Sequence, residues 1–503
     1  MGQVQDEWWL DFYDFSRDLE PVDGLIPGLG DVHAWARRNG ARHGTPILLD
    51  PSGRADARVN AFWRAPGVRG LAVATQRRYA FSLKVWLDFL HAVAVPWDSA
   101  TAAELAAFKQ WRLSVEDNPQ VVAPGSFRVD LAALRRFYLW AADCHGVGNP
   151  IRLHAVRARP GREQVEMLEA TPGGIRRSDV KWLTPQAFRQ WRNLGLCGFT
   201  TAGLPDPRWR GRTEDRDVAF VEGLFDTGLR LGEWSSMLTV EVPAVDGRGL
   251  VRGRLAAACA KGAVGRWFWA RTPLLQRVRV YVEEGSRRAA VARAQREGRY
   301  ETVKDRWLVR EVGADGALQV IDGAGATRRV KLDALPPTVR MRLFTIGAGG
   351  LEPLWLWLNR DGSPRPKQAW HKTFARANTR VAGGLSGVDG AARLWARPHM
   401  LRHSFALRWY AIVTFVAWQR TAMLTESERR DFRNQLGDVW FLLATLLGHR
   451  SAETTRQVYL EPFQAVQVEE VVVLLDTEDR AALDRLTAAL AVGHPQVLTA
   501  ALG

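Results

Sequence analysis

Hydrophobic positions follow the period of an α-helix in two segments of the first third of the chain. In TQRRYAFSLKVWLDFLHAV, apolar side chains recur three or four residues apart and leave the basic side chains off this stripe. The stripe consists of Tyr79, Leu83, Trp86, Leu87 and Leu90. The segment FRVDLAALRRFYLWAADCHG repeats the pattern and stops at Gly146 to Pro150. Two amphipathic helices therefore predict a small helical domain over residues 61–155.

The segments on either side of this domain have no sustained period. Residues 1–60 are rich in Gly and Pro around 21–30 and 46–53, which indicates an N-terminal extension of unknown role. Residues 156–180 include ARPGREQVEMLEATPGGIRRSD, whose Pro, Gly and charge content is typical of a linker. The pattern predicts that a separate domain follows.

Helical and strand patterns alternate after the linker. EDRDVAFVEGLFDTGLRLGEWSSML is helical by period but breaks within TGLRLGE, and Arg230 stands just past the break. Residues 250–259 and 266–270 are strand-like, with glycines between them that indicate a turn. The sequence predicts a hairpin from which Lys261 projects.

Short strands and further helices complete the second domain, which we assign to residues 181–475. Three strand patterns separated by Ala-Asp-Gly and Asp-Gly-Ala-Gly predict a β insertion at about 300–340. The later segments WHKTFARANTRVAG, HMLRHSFALRWYAIVTFVAW and DVWFLLATLLGH are helical, and EDRAALDRLTAALAV predicts a last helix in a C-terminal tail, residues 476–503. The predicted fold class is mainly α with small β elements.

The net charge of the chain indicates a class of binding partner. The 503-residue chain carries a formal net charge of +15 and a pI near 10.3, mostly from arginines in every region. Such charge forms broad faces that attract phosphate and favours a polyanion partner. A composition bias of the source genome is the alternative, because Ala, Arg and Gly are all abundant. Charge alone does not distinguish a polyanion partner from a composition bias, so the sequence motifs must decide.

Cysteine usage and the N-terminus predict a compartment. Cys144, Cys197 and Cys259 are isolated and lack C-x-x-C spacing, which fits a reducing environment and argues against a disulfide framework or zinc knuckle. The N-terminus is acidic and aromatic and has no signal-peptide pattern, and no apolar stretch approaches membrane-spanning length. We expect a cytoplasmic protein without membrane contact, located on nucleic acid if the charge reflects a polyanion partner.

Four separated motifs carry groups that can cleave a phosphodiester without a metal ion. They are TGLRLGE, CAKGAVGR, HMLRH and LLGHRSAETT, the last followed by a tyrosine. Arginines can hold the non-bridging oxygens of a phosphate, lysine and histidine can move protons, and tyrosine can attack phosphorus. The candidate residues are Arg230, Lys261, His399, Arg402, His449 and Tyr459.

Taken singly, some of these motifs are also compatible with ordinary structural roles. A zinc site at His399 and His403 is disfavoured, because a methionine stands where metalloprotease helices carry Glu and no third ligand is evident; we therefore expect no metal. Arg230 with Glu233 can be an ordinary ion pair, and Lys261 can be a solvated turn residue.

Two further residues are also compatible with ordinary structural roles. His449 can act as a helix-capping residue. Tyr410, the other tyrosine after His399, lies on an apolar helix, which favours a place in the core.

This ordered set resembles the tyrosine recombinase (phage integrase) family. TGLRLGE, HMLRHSFA and LLGHRSAETT are similar to its three signature blocks, and the region ending LAALRRFYLWA…NP is similar to its core-binding domain. The similarity runs from about residue 70 to 470, roughly four-fifths of the chain. It implies a helical core-binding domain joined to a tyrosine-recombinase-like catalytic domain that carries the β insertion.

The resemblance also implies a mechanism, in which Tyr459 attacks a DNA phosphate and forms a 3′-phosphotyrosyl link. Arg230 and Arg402 would stabilise the charge at phosphorus. Lys261 would protonate the leaving 5′-oxygen, His399 would accept the tyrosine proton, and His449 would donate to a phosphate oxygen. No cofactor is implied, and neither ATP nor a metal is needed. The residues expected to orient these groups are Glu233 and His403.

The implied function is that of a site-specific recombinase of the integrase type. Its partner would be double-stranded DNA, held by a homotetramer on two recombination sites, with an accessory directionality factor as a possible further partner. The last helix, residues 478–492, would dock on another protomer or pack on its own domain. The basic residues expected to contact DNA are Arg77, Arg78, Lys84, Arg128, Arg135 and Arg266.

Three departures from the family pattern are visible. His449 and Tyr459 are ten residues apart (459 minus 449), one more than is usual in the family. The stretch from Arg402 to His449 is long and rich in Trp and Phe, and the β insertion is additional. Two alternatives stay open: a type IB topoisomerase-like enzyme and a DNA-binding protein without catalysis.

Overall fold

The protein divides into two compact units. A computed structural model describes residues 7–15, 32–114, 118, 120–157, 164–172, 181–245, 247, 249–386, 394–421, 425, 439–449, 451–456 and 458. The first unit comprises residues 1–176 and the second residues 177–503, so the division falls within the segment expected to be a linker. Helices dominate and the sheets are small, which confirms the predicted fold class.

The first unit is a helical domain, and its described residues also form two small antiparallel strand pairs. Its core lies between two long helices that carry the predicted apolar stripes. The elements are β1 (Trp9–Phe12), α1 (Val32–Arg38), β2 (Pro46–Leu49), α2 (Ala57–Ala61), α3 (Pro66–Arg69), α4 (Val73–Ala92), α5 (Ala102–Leu113), α6 (Pro124–His145), β3 (Leu153–Arg157) and β4 (Gln164–Leu168).

Burial on α4 follows the sequence pattern. Its predicted stripe is buried except for Tyr79, which is half-buried. Two core aromatics have hydrogen-bonded polar tips: Trp86 Nε1 donates to the Tyr138 hydroxyl at 2.9 Å, and that hydroxyl donates to the backbone oxygen of Trp97 at 2.8 Å. The helix period therefore identified the core of this unit correctly.

Parts of the chain outside the predicted helical domain also belong to this unit. Trp8, Leu48 and Val59 join its apolar core, so the described part of residues 1–60 packs with the helices. Across the boundary between the predicted helical domain and the predicted linker, β3 pairs antiparallel with β4, with Leu153 opposite Leu168, a hairpin that the composition did not indicate.

The second unit surrounds α8, whose residues are mostly buried and which packs against α10 and α14. The elements are α7 (Pro185–Leu196), α8 (Glu214–Thr227), α9 (Leu231–Ser235), β5 (Leu250–Leu255), β6 (Arg266–Arg271), α10 (Thr272–Glu283), α11 (Ser286–Arg296), β7 (Trp307–Val312), β8 (Ala317–Ile321), β9 (Thr327–Lys331), α12 (Pro337–Arg340), β10 (Leu343–Gly347), β11 (Gly350–Pro353), α13 (Lys367–Leu385), α14 (Pro398–Thr421) and α15 (Val439–Leu447).

Aromatic side chains fill the core of this unit. The ring of Phe220 on α8 stacks on Trp370 of α13 with the centroids 3.4 Å apart. Trp357 Nε1 donates to the backbone oxygen of Trp234 at 2.8 Å, so the core also holds the short helix α9 in place. This packing fixes the elements that carry the candidate site.

The described residues of the second unit form two sheets. β5 and β6 form the predicted antiparallel hairpin, with Leu255 opposite Arg266. The three strands predicted in the insertion are β7, β8 and β9, and they continue into a five-stranded sheet of order β11-β10-β7-β8-β9. β10 runs parallel to β7 and every other pair is antiparallel.

Within the described ranges, no helix is both long and apolar enough to cross a membrane. The helix predicted at 478–492 lies outside the described residues.

Candidate active site

Arg230 is held by a tight connection between α8 and α9. Gly228 ends α8 with a φ of +64°, and a Cβ there would lie 2.3 Å from the ring of Phe405. Both the conformation and the space therefore require glycine. Two residues later, Arg230 is the N-cap residue just before α9: its backbone N–H donates to Glu233 Oε2 at 2.8 Å, and its Nη1 donates to Oε1 at 3.0 Å. One carboxylate thus fixes both the backbone and the guanidinium of Arg230.

The same carboxylate binds the hairpin that carries Lys261. Arg266, at the start of β6, donates to Glu233 at 2.6 and 3.1 Å, and the backbone N–H of Lys261 donates to it at 3.4 Å. The side chain of Glu233 is only 2% exposed. Burial alone would raise the pKa of Glu233, but the hydrogen bonds and charges of Arg266 and Arg230 lower it to about 2. Glu233 is therefore ionised at neutral pH.

Arg402 joins the ends of two helices. It lies on α14 and is 1% exposed. Its Nη1 donates to the backbone oxygen of Gly228 and its Nη2 to that of Leu447, both at 2.5 Å. These oxygens stand at the C-terminal ends of α8 and α15, where carbonyl groups lack partners within their own helix. The guanidinium of Arg402 is thereby fixed close to Arg230, which follows Gly228 by two residues.

His399 and His403 lie one turn apart on α14, with their ring centroids 4.3 Å apart. Burial lowers the pKa of His399, and the charges of Arg402, Arg230 and Lys261 lower it further. Burial, with the charges of His399 and Arg402, lowers the pKa of His403 to about 3. Both imidazoles are therefore neutral at pH 7.

His449 follows the left-handed residue that ends α15. Gly448 has a φ of +65°, and a Cβ there would lie 2.4 Å from Cδ of Arg266. The backbone N–H of His449 donates to Ala444 at 2.9 Å, and its ring Nδ1 lies 2.9 Å from the Thr455 hydroxyl. Burial, with the charges of Arg402 and other basic residues, lowers the pKa of His449 to about 4.

Five of the six predicted catalytic residues thus lie close together in the second unit, linked by these contacts and charges: Arg230, Lys261, His399, Arg402 and His449. A cavity of about 660 Å³ adjoins them, with Arg230, His399 and Arg402 in its wall. Tyr459 lies outside the described residues. Val458, the last described residue, packs against the apolar cluster that includes Phe405 and Leu447.

Some residues of this site were not predicted. Lys367, His371 and Arg397 also line the cavity and make it strongly basic. His371 lies on the predicted helix WHKTFARANTRVAG, and Lys367 stands four residues before it; this spacing was the available signal. Among the described residues, no three His, Cys, Asp or Glu side chains lie together as metal ligands would. Tyr410 is half-buried against Trp440, with ring centroids 4.9 Å apart.

The residues expected to contact DNA have different environments. Arg77, Arg78, Arg128 and Arg135 are exposed on α4 and α6. Lys84 bonds Asp88 at 2.7 Å and Glu7 at 3.0 Å. Burial alone would lower the pKa of Lys84, but these bonds raise it. Arg266 is bound to Glu233, so its guanidinium is a part of the site's framework.

Comparison with known proteins agrees with the class that the motifs suggested. Residues 62–144 match the family model described as phage integrase, N-terminal SAM-like domain. The predicted resemblance to the phage integrase family is confirmed by this match, which lies within the helical domain predicted for residues 61–155. The chain has no match among the curated proteins.

Solved structures to which this chain is similar include recombinases. One is the XerH site-specific recombinase bound to palindromic difH substrate in a post-cleavage complex, with 13% identity, a TM-score of 0.44, and coverage of 84% of this chain and 86% of that chain. Another is the Tn1549 transposon integrase in complex with transposon right end DNA, with 12% identity, a TM-score of 0.42, and coverage of 83% and 99%.

Proposed function

We propose that this chain is a site-specific DNA recombinase of the integrase type, which cleaves and rejoins DNA strands through a 3′-phosphotyrosyl intermediate on Tyr459. The observation that carries the proposal is the meeting of Arg230, Arg402 and His399 at one basic cavity. Two motifs widely separated along the sequence supply these groups. A phosphodiester is the substrate that such a set of donors suits.

The two arginines are suited to stabilise charge at phosphorus. Arg230 is oriented by Glu233, and Arg402 by two helix-end carbonyl groups, so neither needs to reorganise when DNA binds. Fixed donors of this kind stabilise the transition state more than mobile ones do. Loss of either arginine should lower the cleavage rate by about 10²- to 10³-fold, as loss of one oxyanion donor does.

Neutral imidazoles and a lysine would move the protons. As the Tyr459 oxygen bonds to phosphorus, its proton passes to His399, whose lowered pKa keeps it unprotonated beforehand. The bond to the 5′-oxygen breaks, and Lys261 gives that oxygen a proton. His449 donates to a phosphate oxygen, and His403 and Glu233 hold their neighbours in position. Attack by a 5′-hydroxyl from another strand reverses the steps, so one phosphoester replaces another without ATP or a metal.

Strand exchange between two DNA sites requires more than one protomer, so we propose a homotetramer on double-stranded DNA in the cytoplasm. An accessory factor would set its direction. The exposed Arg77, Arg78, Arg128 and Arg135 would bind the DNA backbone, which makes binding sensitive to salt.

The proposal is tested by strand exchange on plasmids that carry two copies of the DNA flanking the gene. Recombinant products from the wild type, and none from Tyr459→Phe, are expected. Relaxation of supercoils without exchange would instead indicate a type IB topoisomerase-like enzyme. DNA binding with neither reaction would indicate a DNA-binding protein without catalysis.

A further inference from the structure

A second cavity lies on the other side of α13 from the candidate active site. Its volume is about 350 Å³, and α13 contributes Thr373, Arg376 and Arg380 to it. The active-site cavity instead receives Lys367, His371, Phe374, Ala375 and Asn378 from the same helix. At about 100° per residue, the two sets point to opposite sides of the helix. The helix therefore separates the two cavities.

Arginines dominate the second cavity. Six arginines and two carboxylates, Glu214 and Asp217, line it. The formal charge of the lining is therefore +4 (six minus two). Like charges gathered in one cavity repel each other and attract a counter-ion of opposite sign. The arginines of the lining are Arg212, Arg216, Arg360, Arg365, Arg376 and Arg380.

Two of these arginines are fixed without being neutralised. Arg365 donates to Asn359 Oδ1 at 2.9 Å and to Thr373 Oγ1 at 2.7 Å, and Arg380 donates to the backbone oxygen of Gly195 at 2.6 Å. These acceptors are uncharged, so both guanidinium groups keep their full positive charge. In addition, Arg365 Nε is buried and has no hydrogen-bond partner among the described residues.

Burial, with the charge of Arg216, lowers the pKa of Arg365 to about 10, as expected for a cation placed among cations. Arg216 itself is 5% exposed and bonds Asp217 at 2.8 Å. Across the described ranges, the guanidinium groups of Arg212, Arg360 and Arg376 make no ion pair or hydrogen bond. Three unpaired cations therefore join three fixed ones around one space.

We propose that this cavity is a binding site for clustered phosphate groups, separate from the site of DNA cleavage. Guanidinium groups bind phosphate oxygens in pairs, and several arginines can hold adjacent phosphates at once. A single phosphate would leave part of the +4 charge unbalanced, whereas two or three adjacent phosphates would balance it. The cavity is at the small end of ligand sites, which suits a short polyphosphate. The phosphates belong either to a small polyphosphorylated molecule or to a DNA backbone.

The test is calorimetric titration of the full chain with tripolyphosphate. The double variant Arg212→Gln/Arg376→Gln should weaken binding about tenfold or more, because it removes two charge-assisted contacts at the rim. Arg296→Gln, an exposed arginine of the same unit outside the cavity, should bind as the wild type does. Arg230→Gln reports any binding at the active site. No binding by the wild type, or equal binding by the double variant, would overturn the proposal.

Duplex DNA distinguishes the two sources of phosphate. If the backbone of DNA occupies the cavity, the double variant should reduce the salt dependence of DNA binding by about two phosphate contacts, and tripolyphosphate should compete with DNA. If a small molecule occupies it, the DNA affinity of the double variant stays unchanged. Cleavage by Tyr459 is measured separately and does not enter either outcome, so failure of the proposed recombinase activity would not be mistaken for failure here.

Discussion

The guanidinium of Arg266 lies 2.6 Å from the carboxylate of Glu233, which is at the same time bound by both the backbone and the side chain of Arg230. Arg266 also passes so close to Gly448 that a Cβ at that glycine would collide with it. A single ion pair therefore connects the motif of Arg230, the hairpin of Lys261 and the turn that precedes His449.

Breaking this ion pair should destabilise the protein. Glu233→Gln leaves Arg266 and Arg230 without their shared counter-charge, and loss of one partner from a buried pair lowers the free energy of unfolding by about 3–5 kcal/mol. Urea titration of the variant and the wild type measures the difference. Glu283→Gln breaks the exposed pair with Arg279 and serves as the control. It should leave the free energy unchanged, and equal losses in both variants would contradict the importance of the buried pair.

The free energy of unfolding should decrease as the pH is lowered from 6.5 to 4. The folded pKa values of His403 and His449, about 3 and about 4, lie below the ordinary value of 6.5, so the unfolded chain binds protons more readily in this range. The two neutral histidines make their full contribution to stability above pH 6.5, and this contribution is lost as the pH falls. A further loss follows below about pH 4.5, because the pKa of Glu233 is lowered to about 2.

Urea unfolding at pH 7.5, 6.0 and 5.0 measures this dependence. His403→Leu removes one of the two buried imidazoles and should flatten the slope below pH 6.5. His371→Leu replaces an exposed histidine of the same unit and should keep the slope of the wild type. An unchanged slope in His403→Leu would show that its burial does not carry the effect.

The close approach at Gly448 gives a third prediction. Gly448→Ala combines a left-handed backbone with a collision against Arg266, whereas Gly316→Ala has a φ of +72° and open space around it. Backbone strain alone costs about 1–2 kcal/mol in both variants. Gly448→Ala should lose more stability than Gly316→Ala and should also cleave DNA more slowly, because Arg266 must move. Equal losses of stability in the two variants would mean that the Arg266 side chain moves aside at no energetic cost.

The assignment of Lys261 as the general acid can be tested with a 5′-thio leaving group, which needs no proton to depart. Lys261→Ala should cleave an ordinary DNA strand slowly and the 5′-thio strand at nearly the rate of the wild type. Arg402→Ala should be slow on both strands, since its role is to stabilise charge at phosphorus. If the 5′-thio strand does not rescue Lys261→Ala, another group supplies the proton.

Local patterns in the sequence predicted the elements better than the contacts between them. The helical period placed Trp86 and Leu90 in the core, and the glycines near Lys261 predicted its hairpin. The pairing of Arg266 with Glu233 joins residues 33 positions apart, and no periodicity reports such a contact. Arg266 therefore looked like one more exposed cation available to DNA.

Two other features escaped the sequence for the same reason. The described residues before position 60 have no helical period, yet Trp8 and Leu48 pack into the core of the first unit, because two short strands bring them there. The arginines of the second cavity come from three separate segments, residues 212–216, 360–365 and 376–380. Only the folded chain brings these arginines together.

The central claim is that Tyr459 becomes covalently joined to DNA. The measurement is to incubate the protein with labelled, nicked duplexes from the DNA flanking its gene, denature in detergent, and identify the modified peptide by mass spectrometry. Tyr459→Phe and Tyr410→Phe are treated in parallel. We predict a detergent-stable adduct on Tyr459 that persists in Tyr410→Phe and is absent from Tyr459→Phe. DNA that binds to the wild type but never becomes attached, or an adduct that survives in Tyr459→Phe, would contradict the proposed function.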